Sequence, residues 1–169
     1  MTRKRSSGRG FRVSDDFAAN NPGADPTTTE LIINLVLTAG LVQGKLDRLL
    51  RDYKLTTGSL NAFQVIAGDP EPLSPSDVAR RMTLPVTTAT MTGILDTLER
   101  NGYIERRAHA TDRRRVNIYI TAKGRRVNRE LLPVMFQNQI TWTAALSKTE
   151  RMKLTDDLAK LAEHLRSVE

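Results

Sequence analysis

Asp112, Arg113, Arg114 and Arg115 set three guanidinium groups beside one carboxylate in a single short run. Arginine's planar fork matches phosphate and carboxylate oxygens bidentately, and an adjacent carboxylate can hold that fork in one orientation. Upstream, the segment from Val86 to Gly102 carries Thr87, Thr88, Ala89, Thr90 and Thr92, which are small and uncharged, and four of them bear hydroxyls. A surface of that kind can enter a groove of about 12 Å, the width of the DNA major groove. Hydroxyls at a helix N-terminus also sit beside free N–H groups that favour phosphate. Residue types alone leave the plainer readings open: the threonines as caps and solvent face, the charged turn as a solvated tip, Asp112 as an ordinary turn residue.

Elements must position these groups. Met91, Ile94, Leu95 and Leu98 recur at helical spacing, so a helix over 86–101 turns the threonines outward, with Thr87 as cap and Gly102 as its stop. Ser74 or Ser76 caps a short helix over about 75–82, and Pro85 keeps the two helices from fusing. Tyr103–Arg107 and Arg115–Thr121 alternate like strands, with Ile104, Val116, Ile118 and Ile120 toward the core and the arginine run near the tip joining them. Leu73 can add a one- or two-residue strand. The pattern is helix, turn, helix, hairpin. Arg106 and Arg107, at the hairpin base, are placed for phosphates.

Longer helices flank this lobe. One is expected over 30–52, capped by Thr28 or Thr29, with an apolar face widened by Leu37 and Leu41; a helix apolar on two sides is covered on two sides. Another over 56–68 turns Leu60, Phe63 and Ile66 inward. After Thr121 a helix runs to Pro133, breaks or kinks there and resumes, and a last one spans about 149–166. Residues 1–27, rich in Gly, Pro and Asn and basic at their start, are expected to form a disordered arm, and residues 28–169 one domain with its lobe at about 55–121.

The totals narrow the function classes. The chain has 169 residues, a formal charge of +7 and no cysteine, with a pI near 10.1. The charge favours polyanions by steering and counterion release. Absent cysteine excludes thiol catalysis, disulfides and thiol-based redox sensing. The greasiest stretch, Leu31–Leu46, is interrupted by Asn34, Thr38, Gly40 and Gln43, so no membrane span and a cytoplasmic setting are expected. No phosphate-cradling glycine loop appears, and His109 and His164 are too far apart to share a site. No catalytic residue, metal or cofactor is assigned.

From about Leu31 to Leu165 the chain resembles MarR-type winged-helix transcriptional regulators. The resemblance rests on LSPSDVARRM, VTTATMTGILDTLERNGYIERR, the TDRRR wing and ITAKGRR, in that order. It implies a mainly α winged helix-turn-helix fold with a small β-hairpin wing and long N- and C-terminal dimerisation helices. It also implies a homodimer on a palindromic operator in double-stranded DNA, commonly a repressor released by a small aromatic effector. Carried over by position, Thr87, Thr88, Ala89, Thr90 and Thr92 read the groove and Ser74 and Ser76 lie near phosphates. Arg114, then Arg113 and Arg115, serve the wing, with Asp112 positioning Arg114. Leu35, Phe63 and Phe136 are candidates for an effector pocket. Two features depart from the family: the turn TLPV is longer, and Gly93 stands where many members carry arginine, which leaves Arg80, Arg81 or the arm as candidates to supply charge instead. The competing readings are a weakly specific architectural DNA binder and a protein-interaction module on the same fold.

Overall fold

The computed structural model describes residues 10–83, 86–108 and 115–168. Its elements, among the described residues, are α1 (Phe17–Asn20), α2 (Pro26–Arg51), α3 (Thr57–Gly68), α4 (Pro75–Arg81), α5 (Thr88–Arg100), β1 (Ile104–Ala108), β2 (Val116–Ile120), α6 (Ala122–Trp142) and α7 (Lys148–Ser167). The chain divides into two compact units, residues 1–60 and 61–169, with α3 crossing the division.

In the first unit α2 starts earlier than expected. Asp25 is its cap, accepting from the Thr27 backbone N–H at 2.9 Å, and Pro26 fills N1, where a missing N–H costs nothing. Residues 11–13, expected within a disordered arm, are anchored to this helix. The Asn34 side chain accepts from the Phe11 N–H at 2.7 Å and donates to its carbonyl at 2.9 Å. Glu30 accepts from the Val13 N–H at 3.0 Å. Gly10 makes the approach possible: its φ is +79°, and a Cβ there would lie 2.6 Å from the Asn34 Oδ1. The expectation that no segment could span a bilayer needs correcting. The 26-residue α2 is long and apolar enough to cross one by length and composition, because Gly40 and the single polar residues do not break its helix.

The start of α3 is held by Thr56 and Ser59 together, the Thr56 hydroxyl accepting from the Ser59 N–H at 3.2 Å. The Thr56 carbonyl accepts from Leu60 N–H at 2.8 Å, and the Ser59 hydroxyl accepts from the Thr56 N–H at 2.8 Å.

The second unit holds the winged lobe. Its core is Phe63, Ile66, Val78, Met91, Leu95, Leu98, Tyr103, Ile104, Ile118 and Leu131, all buried. The strands pair antiparallel, Ile104 opposite Ile120 and Arg106 opposite Ile118, and Leu73 adds the expected single bridge to Ile118. Val116 departs from its expected place: it is 37% exposed, because the hairpin outruns the core toward its tip. Gly102, at φ +72°, ends α5. Its N–H reaches the Glu99 carbonyl, and that of Tyr103 reaches Leu98, which is the glycine stop read from sequence. Gly124 lets α6 start hard against β1, where a Cβ would stand 2.1 Å from the Tyr103 carbonyl oxygen.

Thr121 caps α6 as expected, accepting from the Gly124 N–H at 2.9 Å. Pro133 lies inside α6 without breaking it; proline removes one helix hydrogen bond, and the turns on either side carry the helix through. Ser147 and Glu150 form a capping box at the head of α7.

Candidate nucleic-acid interface

Two caps aim the pair of lobe helices. Ser74 caps α4: its hydroxyl accepts from the Asp77 N–H at 3.2 Å and its backbone N–H donates to the Asp77 carboxylate at 3.4 Å, completing a capping box, while the hydroxyl also donates to that carboxylate at 2.6 Å. Those bonds, Ser74's hydroxyl first and the Arg80 guanidinium next, hold the Asp77 carboxyl below the usual aspartate range. The Ser76 hydroxyl lies 2.9 Å from that of Ser74. Thr87 caps α5, accepting from the Thr90 N–H at 3.2 Å.

Beyond the cap, Thr88, Ala89, Thr90, Thr92 and Gly93 are all exposed along α5, while Met91, Leu95 and Leu98 are buried beneath them. This is the two-faced helix the spacing requires. Thr92 returns its hydroxyl to the Thr88 carbonyl at 3.1 Å, so it offers the outside a methyl group and lone pairs. At Gly93 an added Cβ would meet nothing within 4 Å. The exposed face borders a hollow of about 540 Å³ lined by Ser74, Ser76, Val86, Thr88, Met91, Thr92, Arg115 and Val116. The structure thus brings Ser74, Ser76, Thr88, Thr92 and Arg115 to one surface. Asp112, Arg113 and Arg114 lie outside the described residues, as do Leu84 and Pro85 of the longer turn.

Arg106 and Arg107 do not stand as bare cations. Arg106 bonds Asp96 at 2.6 Å and Glu99 at 2.9 Å. Arg107 pairs with Glu105 and lies over the Tyr119 ring, 4.8 Å from its centre. Arg80 and Arg81, candidates to replace a missing arginine at Gly93, pair with Asp77 and Asp69. Asp96 and Glu99 are the residues that sequence reading missed. Their spacing of three on α5, followed by an arginine just past Gly102, was the available signal.

The three effector-pocket candidates take different roles. Phe63 is wholly buried, its ring 5.5 Å from that of Tyr103, which makes it core. Leu35 is half-buried on α2. Phe136 is 55% exposed and lines an open hollow with Gln139, Ile140, Thr143 and Arg151. Among the described residues no group of three or more acidic, histidine or cysteine side chains could hold a metal ion.

Known proteins share this architecture. Residues 65–116, which span the end of α3, α4, α5 and β1 and stop at the first residue of β2, match the model of the MarR family. The chain is 36% identical over 93 residues to the HTH-type transcriptional repressor YetL of Bacillus subtilis, covering 55% of this chain and 54% of that one. It is 28% identical over 165 residues to the HTH-type transcriptional regulator PecS of Dickeya dadantii, covering 93% and 96%. It is 35% identical over 97 residues to the transcriptional repressor MprA of Escherichia coli K12, covering 57% and 54%. The alignments thus span about half the length of YetL and MprA, and nearly all of PecS. Among solved structures, the S. aureus MepR–DNA complex superposes with a TM-score of 0.68 at 23% identity, covering 78% of this chain and 94% of that one. A ligand-free organohalide-sensing RdhR regulator gives 0.72 at 18% identity, covering 85% and 87%.

Proposed function

This chain belongs to the MarR family of winged helix-turn-helix regulators, and we propose that it binds a palindromic DNA operator as a homodimer and represses transcription from it. The observation that carries this reading is the uncharged, hydroxyl-bearing face of α5 opening onto the same surface as Arg115, which stands just before β2 at the tip end of the strand pair. A narrow polar helix face suits the major groove, and cations on an adjacent wing suit the minor groove, where negative potential attracts arginine. Arg114, with Asp112 beside it, is the proposed principal wing contact, flanked by Arg113 and Arg115. The fold is that of a DNA-bound regulator, MepR, and two of the sequence relatives are repressors by name, which supports the sign of regulation.

The second copy is proposed to cover the apolar residues that α2, α6 and α7 leave in solvent. We read α2 as a dimerisation helix rather than a membrane span. Asn34 and Glu30 are engaged by the main chain of residues 11–13, and Gln43 bonds Asp47 and Thr57, all polar partners at helix positions that a bilayer would have to desolvate. A cytoplasmic setting follows from that reading. A small aromatic effector is the proposed release signal, held against Phe136 and its hollow with Arg151.

Selection of duplexes from a random-sequence pool tests the reading. It should enrich a palindrome with half-site centres about 34–36 Å apart, and each mismatch should cost about 1–3 kcal/mol. Arg114→Ala should weaken binding everywhere and relax preference at the half-site ends. Uniform binding to shuffled duplexes would favour the architectural alternative.

A further inference from the structure

We propose that Arg106 is a positioning residue that locks the recognition helix α5 to the wing, and that it makes no phosphate contact. The lock rests on geometry alone; its consequence for DNA rests on the function proposed above.

Arg106 is the third residue of β1, opposite Ile118. Its Nη1 donates to the Asp96 carboxylate at 2.6 Å and to the Glu99 carboxylate at 2.9 Å. Its Nη2 reaches the Thr92 carbonyl at 3.5 Å. Its own backbone N–H donates to the other Glu99 oxygen at 2.9 Å. One strand residue therefore grips two successive turns of α5, by main chain and side chain together, and reaches the backbone of a groove-facing threonine. The Arg106 side chain is 25% exposed, against 53% for that of Asp96 and 39% for that of Glu99, so the arginine is the innermost of the three.

Charge points the same way. One guanidinium faces two carboxylates, which leaves the cluster net anionic and repellent to a phosphate. A fork is also what the geometry demands: Arg spans two carboxylates and a carbonyl from a planar, pre-organised head, whereas a lysine ammonium concentrates its charge at one point. With the fork in place, α5 and the wing present their contacts to DNA as one body, at one mutual angle. Specific docking needs that angle because helix and wing must seat in adjacent grooves together.

The experiment has two arms. In the first, backbone hydrogen exchange is measured by NMR on the free protein for Arg106→Lys, Arg106→Gln and Glu99→Gln. The Arg106 and Ile104 amides and the last turn of α5 should exchange about tenfold faster in all three, as expected for a local opening; should Arg106→Gln fail to fold, the other two variants carry this arm. Wild-type protection in both Arg106→Lys and Glu99→Gln would overturn the lock. In the second, binding to the pool-selected duplex and to a shuffled duplex of equal composition is followed across salt concentrations. Positioning predicts that Arg106→Lys, although still cationic, loses about tenfold of its preference for the selected duplex and keeps the wild-type salt slope. A phosphate contact predicts the reverse: full preference in Arg106→Lys, and a slope lowered by about 0.9 in Arg106→Gln. That result would overturn the proposal. A wild-type chain that enriches no sequence would instead sink the operator reading, and the exchange arm would still decide the lock.

Discussion

The winged lobe and the long helices obey opposite rules of burial. In the lobe Phe63, Leu95, Leu98, Ile104 and Ile118 are at most 2% exposed. On α2 Val36 and Leu41 are 65% and 69% exposed, and α7 has no buried residue along its described length. A single helix, α6, contains both regimes. Gly124, Val127 and Leu131 are buried in its first half, while Val134, Phe136 and Ile140 lie open beyond Pro133. Apolar area left in water forgoes roughly 25 cal/mol per Å². The lobe buries its apolar side chains within itself; those of the long helices are the ones the proposed second copy would cover.

Breaking the interface should have the largest effect. Leu37 and Leu41 are 54% and 69% exposed, so Leu37→Glu with Leu41→Glu removes little from the isolated chain. Placed against a second copy, the two carboxylates would be buried without partners. Sedimentation should show the mass halved, and affinity for a two-half-site duplex should fall by about 10²–10⁴, the avidity lost with the second site. A double variant that stays dimeric would move the interface off this face of α2.

The complementary cut is inside the lobe. Gly124→Ala drives a methyl group to within 2.1 Å of the Tyr103 carbonyl oxygen, so α6 must shift away from β1. Overpacking of this kind costs about 1–3 kcal/mol. Denaturant midpoints should fall by that amount while the dimer persists at high concentration. An unchanged midpoint would mean that the start of α6 moves freely, and the contrast between its two halves would weaken.

What sequence could and could not convey divides along the same boundary. Caps and stops are local chemistry, so Thr87, Thr121, Ser74 and Gly102 were readable from residue type and spacing, as was the buried face of α5. The Leu73 bridge was readable too, from one apolar residue between prolines. The continuity of α6 past Pro133 was not legible, because a proline's local cost does not reveal the helix turns on either side that carry the helix through. The ion pairs of Arg106 were not legible, because side-chain partners seven and ten residues away become neighbours only once the chain reverses at Gly102. The Asn34 and Glu30 anchors for residues 11–13 depend on contacts across a whole helix turn and a loop, and no local pattern announces them.

Gly93 sharpens the contrast on the lobe's outer face. Glycine inside a helix is about 1 kcal/mol less favourable than alanine, and a Cβ here meets nothing in the free protein. Gly93→Ala should therefore raise the unfolding free energy by up to that amount. If the groove approaches α5 at this point, the same variant should bind the selected duplex more weakly despite its greater stability. Equal binding would restrict the docking surface to the first turn of α5, around Thr88 and Ala89.

The smallest effect expected is a pH dependence confined to the N-terminal strap. The Val13 backbone N–H, and after it the Arg12 guanidinium, hold the Glu30 carboxyl below its ordinary 4.5. A carboxylate whose folded value is depressed favours the docked state above its unfolded value, and that contribution fades as pH falls through the folded one. Docking of residues 10–13 should thus be complete at neutral pH and loosen only below the usual glutamate range. The Val13 amide resonance should follow that transition. Glu30→Gln, which keeps an acceptor for Val13 but cannot titrate, should abolish the pH response without releasing the strap, because Asn34 still holds Phe11 at both its N–H and its carbonyl. If the Val13 resonance in Glu30→Gln still moved with acid, the strap would be reporting a change elsewhere in the first unit, and the anchoring assigned to Glu30 would fall.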